Sequence, residues 1–178
     1  MNVFALSRNP NLAAYMMCDK HVVKMIIETC QMLSCAMDYR GSNSKQYGLP
    51  QYPKAHAKHP CTIWTMESYG NYKWLVRHLE ALCMEYRARY EKIHKLEGCC
   101  MVYEGQMDNL KFPKKERTEF VQAITNTKWH RKNPIEAYRT YYNMEKFAFA
   151  KWKLGNIPDW FTGPPKYSIK LEKNVDPI

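Results

Sequence analysis

The chain has 178 residues, 46% of them hydrophobic and 13% aromatic, and its 27 Lys and Arg against 17 Asp and Glu give a formal charge of +10. That much apolar content over this length supports one packed domain and excludes a wholly disordered chain. Only seven glycines occur, with neither a GxGxxG nor a Walker-type glycine run, which argues against dinucleotide and phosphate-loop folds.

The first predicted helix opens at Asn9-Pro10, a cap residue followed by proline at the first helical position, and runs to about Met37 with a kink near Cys18. Val22, Met25, Ile26, Thr29, Cys30, Leu33, Ala36 and Met37 form its apolar face. Lys20, His21, Lys24, Glu28 and Gln31 fall on the opposite stripe. Residues 39–60 hold two glycines and three prolines and read as a loop. A second helix spans about Cys61 to Leu96, with Leu75, Leu79, Leu82 and Tyr86 as its seam and Lys73, Arg77, Glu80, Arg87 and Glu91 on its wet side.

Residues 97–132 read as irregular and basic. The third helix repeats the opening device at Asn133-Pro134 and runs to about Lys153, with Ile135, Tyr138, Tyr142, Phe149 and Trp152 on one face. A proline-containing tail occupies 154–178. No segment alternates convincingly as a strand, with Val3–Leu6 the nearest candidate. The expected fold is all-α: a single compact domain over 1–178, three principal helices and long irregular connections.

The longest stretch without a charged side chain is the ten residues Asn9–Cys18, so no membrane span is expected, and the first residues lack the form of a signal peptide. Seven irregularly spaced cysteines suit free thiols in a reducing cytoplasm. Residues 111–132 carry seven basic and two acidic residues, so +5 of the +10 lies there, interleaved with Phe112, Phe120 and Trp129. Basic residues alternating with aromatics suit a phosphate backbone and base stacking; a solvated basic loop is the plainer alternative.

Four groups are candidates for chemistry. His21 and Glu28 lie two helical turns apart with Lys24 between them, an arrangement that can hold a cationic intermediate or move protons; an exposed face of helix ion pairs is the plainer reading. Cys18-x2-His21 and His56-x2-His59-x-Cys61 contain zinc-ligand atoms, but neither has a recognised spacing, and no metal or other cofactor is expected. Lys146 interrupts an aromatic face, where desolvation could make it a Schiff-base nucleophile or where its ammonium simply reaches outward. The α-amine at the chain start is the fourth, being partly neutral near pH 7.

Leu12-Ala13 followed by Asp19-Lys20-His21-Val22, with Glu28 nine residues after Asp19, resembles the first-helix signature of the phage pyrimidine-dimer DNA glycosylases of the endonuclease V type. His59-Pro60-Cys61-Thr62-Ile63-Trp64, followed by Leu75, Arg77, Leu82 and Glu85, is similar to that family's second helix. Ile135-Glu136-Ala137, Glu145-Lys146 and the aromatic end are loosely like its third. The chain also resembles phage proteins carrying CDKHVVKM and YYxxEK segments.

The resemblance implies a compact helical fold that binds duplex DNA and displaces a nucleotide from the stack. By that resemblance an amino-terminal amine would attack the sugar C1′, releasing the base and leaving an imine, and Glu28 would stabilise the cation and assist later strand scission. His21 would sit near the sugar-phosphate, and His21 and Lys24 are expected to assist. Asn2 stands where the family has a small threonine, so the amine implied here is that of Met1. Val3 stands where the family has arginine, and Ile27 and Thr29 flank Glu28 without the family's arginine.

The duplex is expected to meet Lys20, His56, Lys58, His59, Lys114, Lys115, Arg117, Lys128, Trp129, Arg131, Lys132, Arg139 and Lys146. The other readings are a transferase acting on modified thymines in phage DNA and a non-enzymatic DNA-binding or host-interaction protein. A phage-encoded chain of this kind would work in the cytoplasm of the infected bacterium.

Overall fold

Both Asn-Pro pairs start helices. In the computed structural model, which describes residues 2–51 and 57–165, Asn9 Oδ1 accepts from the N–H groups of Asn11 and Leu12 at 2.9 and 3.1 Å and opens α1 (Pro10–Tyr15). The helix expected to continue to Met37 stops after one and a half turns, and α2 (Asp19–Tyr39) begins afresh. The reason is tertiary. The carbonyls of Tyr15 and Met17 accept from Arg89 Nη2 and Nη1 at 3.0 and 2.7 Å, and Met16 O accepts from Trp152 Nε1 at 3.2 Å. Three consecutive carbonyls thus find donors from distant side chains, which removes the cost of ending the helix there.

The second expected helix also divides. Ser68 is extended between α3 (Pro60–Glu67) and α4 (Tyr69–Tyr90), and its Oγ accepts from Asn71 N–H at 3.0 Å as the cap of α4. A passing chain completes that cap: Tyr69 and Gly70 N–H donate to the carbonyls of Lys114 and Lys115, both at 2.9 Å. Glycine is required at position 70, because a Cβ there would sit 2.4 Å from Arg117 N. Helix α4 ends at Tyr90, six residues before the expected Leu96, with Glu91 left-handed at φ 56°.

Residues 97–132 are not wholly irregular, since α5 (Cys99–Gln106) lies within them and buries Cys100 and Tyr103. Glycines at its cap, Gly98, and inside its last turn, Gly105, mask its short period in the sequence. Asn133 Oδ1 accepts from Ile135 N–H at 3.0 Å and opens α6 (Pro134–Tyr141). From Tyr142 to Lys146 the chain widens into a π-helical segment, so the expected run to Lys153 ends early. The aromatic face nevertheless survives, with Ile135, Tyr138, Tyr142 and Trp152 all buried.

The fold is all-α. Among the described residues the only β pairing is an isolated bridge between Ser68 and Lys114, and Val3–Leu6 is buried irregular chain rather than a strand. Helices α2 and α4 form the central pair, with α1 against α4 and α3 against both. Every residue of the apolar face expected on α2 is buried, as are Leu75, Leu79 and Leu82 on α4. All seven cysteines are free thiols. No described helix is long and apolar enough to cross a membrane.

Candidate active site

The site is built on the first described residues, which are threaded into the protein. Asn2 is buried and bonded on three sides. Its N–H donates to Glu28 Oε2 at 3.1 Å, its Nδ2 donates to Ala123 O at 2.8 Å, and its Oδ1 accepts from Phe4 N–H at 3.0 Å. Further along, Leu6 O accepts from Arg139 Nε at 3.1 Å. Phe4 is held at φ 45°, a left-handed conformation that costs an aromatic residue on the order of 1–2 kcal/mol. Its ring lies flat on the His21 imidazole, with centroids 4.3 Å apart and planes inclined by 17°.

That stacking explains why His21, placed by its spacing on the polar stripe of α2, is 7% exposed. Its Nδ1 is hydrogen-bonded to Tyr142 Oη, and Tyr142 and Phe149 present their edges to the ring. Burial, reinforced by the Lys146 and Lys24 ammoniums, depresses His21 to about 3, so the imidazole is neutral across physiological pH.

Among the described residues, Glu28 is the one carboxylate lining the cavity that the stripe borders. The cavity measures about 550 Å³, with Glu28, Lys24 and Lys20 on one wall, Phe4, Tyr141 and Phe149 supplying aromatic surface, and His59, Ala123, Thr125 and Lys146 completing it. Lys24 Nζ stands 3.5 Å from Glu28 Oε1, the Lys20 ammonium lies 5.1 Å above the Phe149 ring, and that of Lys146 lies 4.3 Å above Tyr141. One carboxylate among three lysines and three aromatic rings can meet an anionic polymer at the rim and a developing cation at the centre.

The other expected contact residues are divided among several places. His59 lines the cavity while its Nδ1 accepts from Cys61 N–H at 3.1 Å as the cap of α3, and exposed Lys58 precedes it. Trp129 donates to Glu145 at 2.6 Å, beside Lys146, and carries the Lys128 ammonium 4.3 Å above its ring. Arg131 Nη1 closes that turn on the carbonyls of Lys128 and His130 at 2.8 and 2.7 Å, and Lys132 is exposed. Lys114 instead pairs with Glu67 and, with Lys115, borders a different hollow at the start of α4. Arg117 lies over the Phe120 ring, and Arg139 over Trp160 in a third hollow. Met1 and His56 lie outside the described residues. Among those described, no group of three or more His, Cys, Asp or Glu side chains is placed to hold a metal ion.

A family model for pyrimidine dimer DNA glycosylases matches residues 1–97, more than half of the chain. The chain belongs to the pyrimidine dimer DNA glycosylase family. At that level it is a DNA-acting glycosylase. No curated protein and no solved structure matches it. The glycosylase match covers one side of the cavity, from Asn2 and Phe4 through His21 and Glu28 to His59. The opposite side comes from beyond it: Ala123, Thr125, Tyr141, Lys146 and Phe149.

Sequence reasoning did not single out Asn2, Phe4 or Tyr142 as parts of this site. Asn2 and Phe4 carry no periodic signal because they precede the first helix. Tyr142 is indistinguishable by spacing from its neighbours on a core face.

Proposed function

We propose that this chain excises a damaged or modified pyrimidine from duplex DNA by imine-forming chemistry in the cavity around Glu28. The observation that carries the reading is the 3.1 Å hydrogen bond from Asn2 N–H to Glu28 Oε2, which ties the chain start to the carboxylate across 26 residues. In the proposed reaction the α-amine of Met1 attacks the deoxyribose C1′. The glycosidic bond breaks, the base leaves with its electron pair, and the sugar opens to an imine. Glu28 faces the cationic intermediate and takes part in the proton transfers leading to strand scission, while Lys24, 3.5 Å away, helps hold the carboxylate in place. Exposed lysines at the rim, Lys20 foremost, hold the flanking phosphates. Displacing the nucleotide from the stack costs a few kcal/mol, offset by those contacts and by aromatic surface from Phe4, Tyr141 and Phe149.

Lys146 lines the same cavity and is the alternative nucleophile. The test is borohydride trapping on a duplex with one pyrimidine dimer and on a duplex with one abasic site. The expected result is a covalent adduct that maps to residue 1 and disappears when the amine is blocked. An adduct on Lys146 keeps the chemistry and moves the nucleophile. DNA binding without base release or adduct would overturn the reading in favour of a transferase or a binding protein. Glu28→Gln is expected to lower turnover at least about a hundredfold and leave DNA affinity nearly unchanged.

A further inference from the structure

His21 has two ring nitrogens, and one of them is already engaged. Its Nδ1 meets the Tyr142 hydroxyl in a buried contact between residues 121 apart in the chain. The Cys18 backbone and thiol also reach the Tyr142 hydroxyl; since a phenol donates better than a neutral imidazole N–H, and an imidazole nitrogen accepts better than a thiol, the phenolic hydrogen settles on His21 Nδ1. An imidazole that accepts at Nδ1 carries its hydrogen on Nε2. The ring cannot easily turn to exchange these roles, since Phe4 covers one face and the edges of Tyr142 and Phe149 close on it.

We propose that Tyr142 is a positioning residue of this site: it fixes His21 as the neutral Nε2–H tautomer, so that the cavity offers a DNA phosphate oxygen a hydrogen-bond donor rather than a base. The inference rests on the reading of the cavity as the DNA site. Tyr142 lies beyond the residues that the family model covers, so the device belongs to this chain's own second half. The charged groups around the imidazole fit a donor that never becomes a cation. Lys24 on α2 and Lys146 on the π-helical segment both oppose its protonation, and the Tyr142 phenol, raised well above its ordinary value by burial, stays protonated. A phosphate would then be met by the His21 N–H together with the Lys20 and Lys24 ammoniums bordering the same cavity.

The test is a long-range proton–nitrogen spectrum of the free full chain at neutral pH, compared with that of Tyr142→Phe. The wild type is expected to show a hydrogen on His21 Nε2 and none on Nδ1, and the variant a mixture of tautomers. With a phosphorothioate-free lesion duplex the variant should lose several-fold to about tenfold in kcat/KM. An Nδ1–H tautomer in the wild type overturns the proposal, and so does a tautomer unchanged in the variant. The wild-type spectrum decides the tautomer even where the variant does not fold. It is recorded without DNA, so its outcome is independent of whether an imine is ever trapped.

Discussion

His21 and His78 show how burial converts a titratable residue into a fixed neutral one. His21 is depressed to about 3 and His78 to about 4, the second by complete burial against Trp74 while its Nδ1 bonds Pro10 O at 2.9 Å. The ordinary value is 6.5, so below it the unfolded chain takes up protons that the native protein refuses. Stability is therefore unaffected by these groups above about pH 6.5 and falls as the pH drops towards their native values, by up to about 1.4 kcal/mol per pH unit for each. Urea unfolding from about pH 7 to about pH 5 should show the midpoint falling steadily. Glu67 and Glu119, lowered by Lys114 and Arg8 respectively, release their contribution only in more acid solution. A flat midpoint across that window would show that the two imidazoles are not held neutral.

Among the elements, the junction of α1 and α2 depends on a residue of α4. The Arg89 side chain is fully buried and meets four groups: the carbonyls of Tyr15 and Met17, Asp19 Oδ1 at 3.0 Å and Glu85 Oε2 at 2.7 Å. Substituting Arg89 by Met keeps much of the volume but leaves two carboxylates and two carbonyls without their cation. The expected loss is on the order of 3–5 kcal/mol, read as a drop in the denaturant midpoint. Since Asp19 heads α2, about two and a half turns before Glu28, the same variant should also loosen the site, measurable as faster amide exchange at residues 19–24. A near-neutral midpoint would mean that water replaces the guanidinium. Helical periodicity predicts a kink near Cys18 but not the full break at 16–18, because the pattern of apolar residues continues across it.

For the whole molecule, the +10 charge predicts salt-sensitive DNA binding, but its distribution predicts which lysines contribute. Lys20 and Lys146 border the cavity, whereas Lys114 is paired with Glu67 beside another hollow. Anisotropy titrations over a range of salt, in a Glu28→Gln background, should show Lys20→Ala or Lys146→Ala reducing the slope of log K against log salt by about 0.9 each. Lys114→Ala should leave it nearly unchanged. Equal effects at all three would place the DNA across the start of α4 as well. Half the net charge lies in 111–132, yet that stretch is divided in space: its first part caps α4, and its later part, through Ala123, Thr125 and the Lys128–Trp129 turn, reaches the cavity and its rim.

The all-α class, the two Asn-Pro helix starts, the buried face of α2 and the placing of Glu28, Lys24 and His21 on one stripe were legible from the sequence. Each depends on neighbours within a turn or two: caps act over three residues and periodicity over seven or eight. The family resemblance was legible for the same reason, being carried by runs inside the first 97 residues. The sharpening of the expected kink near Cys18 into a full break, the helix break at 68, the left-handed Phe4 and the far wall of the cavity were decided only in three dimensions. Asn2 meets Ala123 and His21 meets Tyr142, each pair 121 residues apart. No local pattern encodes such a meeting, because the hydrogen bonds and ring contacts that select it exist only once α2, α6 and the chain between them have packed together.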